Sequence, residues 1–328
     1  MKYNFSLIIP VYNTELYIEK CLKNIQIQTH SSYEVIIVDD GSEDNSIFLC
    51  QKYKQHIKNL TILRQENKGL STARNTALDI CKGKYVWFID SDDFINDCNV
   101  LERIYNHLEK YSLDILQFNA NFKVTAINKW SIKKNKKLLL NKVKSTDVLT
   151  GQDYLELMAS SNEWRYGVWL YVFRKDFLLA NNLTFEEDFI HEDAAFNVKC
   201  LVVCDRFKFV NESYYTYRIR PNSIMSKPTT IDNLIGYLQA YKSIEESHID
   251  KRGILKFYLR TIYLQIVERF FYLKDSDGME VYMKELENIG EKFTDEFNSD
   301  NLIVEVKLTN KKNYHDFIKM YNIGESKI

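Results

Sequence analysis

Between residues 6 and 93, short apolar runs alternate with segments of helical periodicity, and two of the runs end in clusters of aspartate. Ser6 to Val11 is a compact β-rich run, and Glu15 to Thr29 carries Leu16, Ile18, Cys21, Leu22 and Ile25 at helical spacing. Glu34-Val35-Ile36-Ile37-Val38 is a continuous apolar strand ending in Asp39-Asp40-Gly41-Ser42. Asp44 to Ile57 reads as the next helix, with Ser42 or Asp44 as its N-cap. Leu60 to Arg64 follows as a strand, Ser71 to Cys81 as a helix, and Lys84 to Ile89 as a strand running into Asp90-Ser91-Asp92-Asp93. Apolar strands separated by helices mean βαβ units and a parallel sheet covered on both faces.

Further along, Val100 to Tyr111 reads as helix, Asp114 to Asn119 as extended and Gly167 to Phe173 as a strand. Glu192 to Cys204 reads as helix and Phe207 to Tyr217 as extended chain with alternating aromatics. From about Ile231 the pattern is helical almost to the end; Tyr258, Ile262, Gln265, Ile266, Arg269, Phe270 and Leu273 trace one face, the mark of a docking surface. Trp130 to Ser145 is dense in lysine, which suits a solvated hairpin, with anionic lipid or a phosphorylated acceptor as the alternatives. The expected organisation is a main domain over 1–230, with halves 1–110 and 111–230, and a helical extension over 231–328.

Composition removes several classes. With 44 Lys+Arg against 45 Asp+Glu, the chain has no basic field for nucleic acid. Ten glycines and three prolines leave little room for long irregular loops. There is no GxxxxGK[ST] and no GxGxxG, so neither a P-loop nor a dinucleotide fingerprint is present. The six cysteines form no CxxC pair and sit mostly in apolar stretches, as reduced thiols of a cytosolic protein do. The apolar run at the N-terminus is too short for a signal peptide, and no window reaches a membrane span. The 14% of aromatic residues suits core packing first and sugar-stacking walls second.

The candidate chemistry follows from position. Ligands of open α/β sheets bind beyond the carboxyl ends of the strands, where Asp39, Asp40, Asp90, Asp92 and Asp93 collect. If strand alternation continues, Asp90 and Asp92 point the same way, and oxygen ligands of this kind suit Mg²⁺ or Mn²⁺ bridged to phosphates. Without a glycine cradle, a diphosphate must be neutralised by metal and side chains, for which Arg74 is a candidate. Glu192-Asp193, after His191, is a second acidic site at a helix start, where dipole compensation is the ordinary use of such a pair.

The assembled blocks resemble the inverting family 2 glycosyltransferases with a GT-A fold. They are Ser6-Leu7-Ile8-Ile9-Pro10-Val11-Tyr12-Asn13, Val35-Ile36-Ile37-Val38-Asp39-Asp40-Gly41-Ser42, Asn67-Lys68-Gly69 with Ala73-Arg74-Asn75, and Phe88-Ile89-Asp90-Ser91-Asp92-Asp93. Val168 to Arg174, His191-Glu192-Asp193 and Tyr215 through Ser223 look like the acceptor-side blocks. The resemblance implies a Rossmann-like, mixed and mainly parallel sheet, with Pro10, Tyr12 and Asn13 lining the nucleotide, Asp39 on the base and Asp90 near the ribose. It further implies that Asp92 ligates Mn²⁺ or Mg²⁺, Arg74 steadies the donor, and Asp193 is the catalytic base, with Arg218, Arg220 and Ser223 in a closing loop. The implied partners are a UDP-sugar donor and a glycan or lipid-linked acceptor. The helical tail is a candidate for dimerisation or for peripheral contact with the inner membrane. Ala77 stands where the family usually has Gly, and the chain lacks the Arg-Trp dipeptide of processive synthases, so transfer of a single sugar is expected. A nucleotidyltransferase and a non-catalytic nucleotide-sugar-binding module are the rival readings.

Overall fold

The computed structural model describes residues 2–124, 143–161, 166–187, 190–220 and 230–246, together with 262 and 266. The chain forms two compact units: Met1–Asp188 with Glu192–Lys227, and Phe189–His191 with Pro228–Ile328.

The first unit is built on one eight-stranded sheet. Its strands are β1 (Tyr3–Val11), β2 (Tyr33–Asp39), β3 (Leu60–Arg64), β4 (Gly83–Phe88), β5 (Phe94–Ile95), β6 (Ile115–Val124), β7 (Tyr171–Arg174) and β8 (Phe207–Ile219), in the order β3-β2-β1-β4-β7-β6-β8-β5. β3, β2, β1 and β4 run parallel, as does the β6–β8 pair; β7 is antiparallel to both neighbours, and β5 is antiparallel to β8. Mixed and mainly parallel is therefore the sheet that forms. Parallel neighbours bring the carboxyl ends of β1, β2 and β4 to one edge, with Val11 paired to Asp39.

The helices cover the sheet because their apolar residues fall on one side. In α1 (Ile18–Gln26) the buried Ile18, Cys21, Leu22 and Ile25 recur at the 3.6-residue period, and each aliphatic among them contributes roughly 1.5–3 kcal/mol by burial. The remaining helices of this unit are α2 (Ser46–Lys52), α3 (Gly69–Ile80), α4 (Val100–Lys110), α5 (Gly151–Ser161), α6 (Lys175–Ala180) and α7 (Glu192–Val202). α3 packs on β1 and β2, and its Ala77 is fully buried, so that methyl belongs to the core.

Several local expectations are corrected. The N-cap of α2 is Asn45, not Ser42 or Asp44; Asp44 instead accepts hydrogen bonds from the Ser46 and Glu15 amides. The segment read as a strand from Gly167 begins with a 3₁₀ turn over Val168–Leu170 and becomes β7 only at Tyr171. Pro10 lies in an interior strand, a position normally closed to proline, but the β4 pairing ends at Ile8 and Phe88, so no bond to β4 is lost there.

In the second unit, α8 (Ile231–Glu246) buries Leu234, Tyr237, Leu238, Tyr241 and Ile244. Gly236 sits against the Ile190 carbonyl, where a Cβ would come within 2.3 Å, and the His191 ring stacks on Tyr237 at 3.9 Å. Of the apolar stripe beyond it, Ile262 and Ile266 are buried and the other members lie outside the described residues, as does most of the lysine-rich run. No helix among the described residues is long and apolar enough to cross a membrane.

Candidate active site

At the carboxyl edge of the sheet two turns are tied together. Asn13 and Gly41 both take positive φ, 50° and 80°. The Ser42 hydroxyl accepts the Asn13 amide at 3.1 Å, and Asn13 Oδ1 accepts the Glu43 amide at 2.9 Å. A Cβ on Gly41 would lie 3.0 Å from the Asn67 nitrogen, so only glycine suits both the angle and the space. Pro10 is buried at the end of β1, whereas Asn13 is exposed and Tyr12 presents a ring that is 49% exposed.

Asp39 is fully buried. Its Oδ1 accepts the Ser42 amide at 2.9 Å, while Oδ2 makes no hydrogen bond and has Arg64 Nε at 3.3 Å. Asp40 does different work: its two oxygens accept the Lys68 and Gly69 amides, both at 2.9 Å, and so fix the start of α3. That use of Asp40 satisfies two of the amides that a helix start leaves unpaired.

The aspartates after β4 divide their roles. They lie in a turn closed by the Asp93 amide on the Asp90 carbonyl, so strand alternation does not set their directions. Asp93 is completely buried, accepting from the Tyr215 hydroxyl at 2.8 Å and from the Arg218 amide at 2.6 Å. Burial first, and then the charges of Asp92 and Asp90, push its carboxyl well above the ordinary range. The Tyr215 hydroxyl also accepts the Asp90 amide at 3.1 Å, so one phenol pins the turn at two points. Asp92 is partly exposed and paired with Arg220 at 2.5 Å. The guanidinium groups of Arg218 and Arg220 both lie against the Tyr17 ring, at 4.9 and 5.2 Å. Ser223 lies outside the described residues.

Arg74, 2% exposed, runs between the two acidic sites: Nη2 reaches Asp90 at 3.2 Å, and Nη1 donates to Glu192 at 2.6 Å. Burial opposes its charge, but the charges of Glu192, Asp90 and Asp193 outweigh that and hold it protonated. Its plane rests on the Phe185 ring at 5.1 Å, and Phe185 stacks on Phe196 of α7 at 4.0 Å. The neighbouring Asn75 exchanges two hydrogen bonds with the backbone of Phe185, both at 2.9 Å. The Ala73-Arg74-Asn75 block thus fastens α3 to the segment leading into α7, bringing Asp193 into the neighbourhood of Asp90. Asp193 is half-buried in the first turn of α7, its carboxyl raised to about 8 by burial and then by the Glu192 charge, against the lowering effect of Arg74. Burial and Asp92 likewise raise Asp90 to about 6, with Arg74 again opposing.

The sequence reading did not anticipate Glu192 as the partner of Arg74, the tie made by Asn75, or the Tyr215–Asp93 hub. Each carried a signal of presence but not of partner: Glu192 beside Asp193, Asn75 after Arg74, Asp93 after Asp92 and Tyr215 at the head of its block. The donor set fits a hard divalent cation in one respect. No group of three His, Cys, Asp or Glu side chains converges among the described residues, but a cation of this kind needs only one or two carboxylates when substrate phosphates and water complete its shell. Asp92 is the carboxylate exposed enough to serve, once Arg220 gives way.

The model of glycosyl transferase family 2 matches residues 6–159. The uncharacterized glycosyltransferase YibD of Escherichia coli is 32% identical over 67% of this chain, and the match spans 62% of that protein's length. The uncharacterized glycosyltransferase EpsJ of Bacillus subtilis is 30% identical over 75% of this chain and 67% of its own. Among solved structures, that of Staphylococcus aureus TarS 1-349 in complex with UDP-GlcNAc superposes with a TM-score of 0.68, covering 97% of this chain and 88% of that one at 20% identity. At that identity the likeness concerns the fold, and the GT-A fold expected from the sequence is the fold present. With a family model on its first half and a 30%-identical relative matched over two thirds of that relative's length, the chain belongs to glycosyltransferase family 2.

Proposed function

We propose that the chain is an inverting, single-transfer glycosyltransferase. It moves one sugar from a UDP-hexose or UDP-N-acetylhexosamine to a hydroxyl of a glycan or lipid-linked acceptor, in bacterial surface polysaccharide synthesis. The catalytic unit is the span 1–230, with 231–328 as an appendage. The observation that carries this reading is the bridge Asp90–Arg74–Glu192, which joins the carboxylates beyond β4 to the start of α7 and so makes one site of two acidic clusters.

Each residue has a role its surroundings support. Asp39 has a buried oxygen without a hydrogen bond, suited to an imide N–H of a base, and the exposed Tyr12 ring suits the base face. Asp90 receives the ribose. Asp92 would hold Mn²⁺ or Mg²⁺, and that cation, when bound, supplies Lewis-acid stabilisation of the leaving diphosphate, worth several kcal/mol. Asp193 takes the proton of the acceptor hydroxyl as the oxygen attacks the anomeric carbon from the face opposite the diphosphate. An acid group near 8 is well matched to that task, since base catalysis is strongest when the pKa lies near the working pH, giving typically about 10²- to 10⁴-fold. One displacement inverts the anomeric centre. Arg218 and Arg220, side by side on the Tyr17 ring, are the cations that meet the diphosphate.

A panel of nucleotide sugars incubated with Mn²⁺ and candidate acceptors tests the reading. Release of nucleoside diphosphate supports it. Release of pyrophosphate instead would make the chain a nucleotidyltransferase, and binding without turnover would make it a nucleotide-sugar-binding module.

A further inference from the structure

Arg74 is deeply buried, and its guanidinium is engaged by the protein's own carboxylates. At 2% exposure, its two terminal nitrogens are engaged by Asp90 and Glu192, which lie 16 and 118 residues away in the chain. One face of the guanidinium is closed by Phe185, which is in turn locked on Phe196 of α7 and held by Asn75. Glu192 is itself buried, at 7% exposure, and immediately precedes the half-buried Asp193. Buried charges of this kind are costly unless each is paired, and here the pairing links the donor side of the site to the acceptor side.

We propose that Arg74 and Glu192 are positioning residues, a fixed strut that holds Asp193 at a set distance from Asp90 and sets the charge that Asp193 feels. The inference rests on the reading of Asp193 as the base. Arg74 faces carboxylates and a ring, and Glu192 faces Arg74. The charged groups acting on Asp193 are Glu192 from its own helix, Arg74 from α3 and Asp90 from the turn after β4. Their signs differ, which makes the strut separable from mere structural support. Removing the Glu192 charge favours the ionised form of Asp193. Removing the Arg74 charge favours the protonated form.

The test needs neither donor nor metal for its first readout. The chain is labelled with ¹³C-carboxyl aspartate, the Asp193 resonance is assigned by its loss in Asp193→Asn, and its titration is followed. In Glu192→Gln, which is isosteric, the midpoint is expected to fall by about one unit, the size of effect a close like charge exerts. In Arg74→Lys the positive charge remains but one ammonium cannot span two carboxylates. There the midpoint is expected to stay near the wild-type value while kcat falls about 10- to 100-fold with KM little changed, the mark of a misplaced group. The kcat readout uses Mn²⁺ and whichever nucleotide sugar of the panel releases nucleoside diphosphate. The acidic limb of its pH profile should move to lower pH in Glu192→Gln, because a base works only when deprotonated. An Asp193 midpoint that is unmoved or raised in Glu192→Gln, with the circular dichroism of the wild type, overturns the strut. So does wild-type kcat in Arg74→Lys. If instead Asp193→Asn keeps wild-type turnover, the base assignment has failed, whatever the midpoints do.

Discussion

Replacing Tyr215 by phenylalanine removes a single oxygen from the centre of the site and leaves the packing in place. The ring remains stacked on Trp169, whose centroid is 4.7 Å away at an interplanar angle of 18°. What is lost is the bond donated to Asp93 at 2.8 Å and the bond accepted from the Asp90 amide at 3.1 Å. Asp93 is fully buried, so its oxygen finds no water in exchange; a hydrogen bond to such a group is worth about 1.5–3 kcal/mol. The Asp90 amide is only partly buried and adds up to about 1 kcal/mol. Tyr215→Phe should therefore lower unfolding stability by about 1.5–4 kcal/mol, measured by urea titration. The control is Tyr217→Phe, which keeps the other ring stacked on Trp169, at 5.3 Å, and loses no side-chain bond to the Asp turn; it should stay within about 0.5 kcal/mol. Equal stabilities for the two variants would refute the account of Tyr215 as the pin of that turn.

Other expectations follow from single contacts. Asn75→Ala removes both bonds to the Phe185 backbone, so the Phe185 amide should exchange at least tenfold faster in native-state hydrogen exchange, and protection unchanged would contradict the tie. Arg220→Met frees Asp92 of its ion pair, and Mn²⁺ alone should then bind about tenfold tighter by calorimetry; equal affinity would mean that arginine and cation do not compete for Asp92. Cys21, Cys50, Cys81, Cys200 and Cys204 are buried, and burial raises each thiol, Cys50 to about 12 and Cys81 to about 11. A thiol reagent should accordingly modify Cys98 alone in the native chain and all six in denaturant; rapid native labelling of a second thiol would contradict the packing.

The parallel half of the sheet was legible because its strands are continuous apolar runs, each bounded by turn chemistry. Elsewhere the same signal misled. Val168-Trp169-Leu170 is as apolar as the strand it precedes, and full burial leaves no periodicity to separate a 3₁₀ turn from a strand. The two-residue β5 is too short to show at all. In the site, Asp39, Asp90 and Asp92 stood out by their position after strands, while the division of labour among neighbours did not. Asp92 is partly exposed and paired, and Asp93 is sealed beneath Tyr215, yet the two are identical residues one position apart. The link from Arg74 to Glu192 spans 118 residues and joins two blocks that are local motifs in the sequence; only the folded chain brings them together.

The stereochemistry of the product tests the central claim most directly. With Mn²⁺, an acceptor and an α-linked donor from the panel, proton NMR of the first product formed should show the β-anomer, and Asp193→Asn should form it at least 100-fold more slowly while binding the donor normally. An α-anomeric product, or a β-product made at the wild-type rate by Asp193→Asn, would contradict a single displacement with Asp193 as its base.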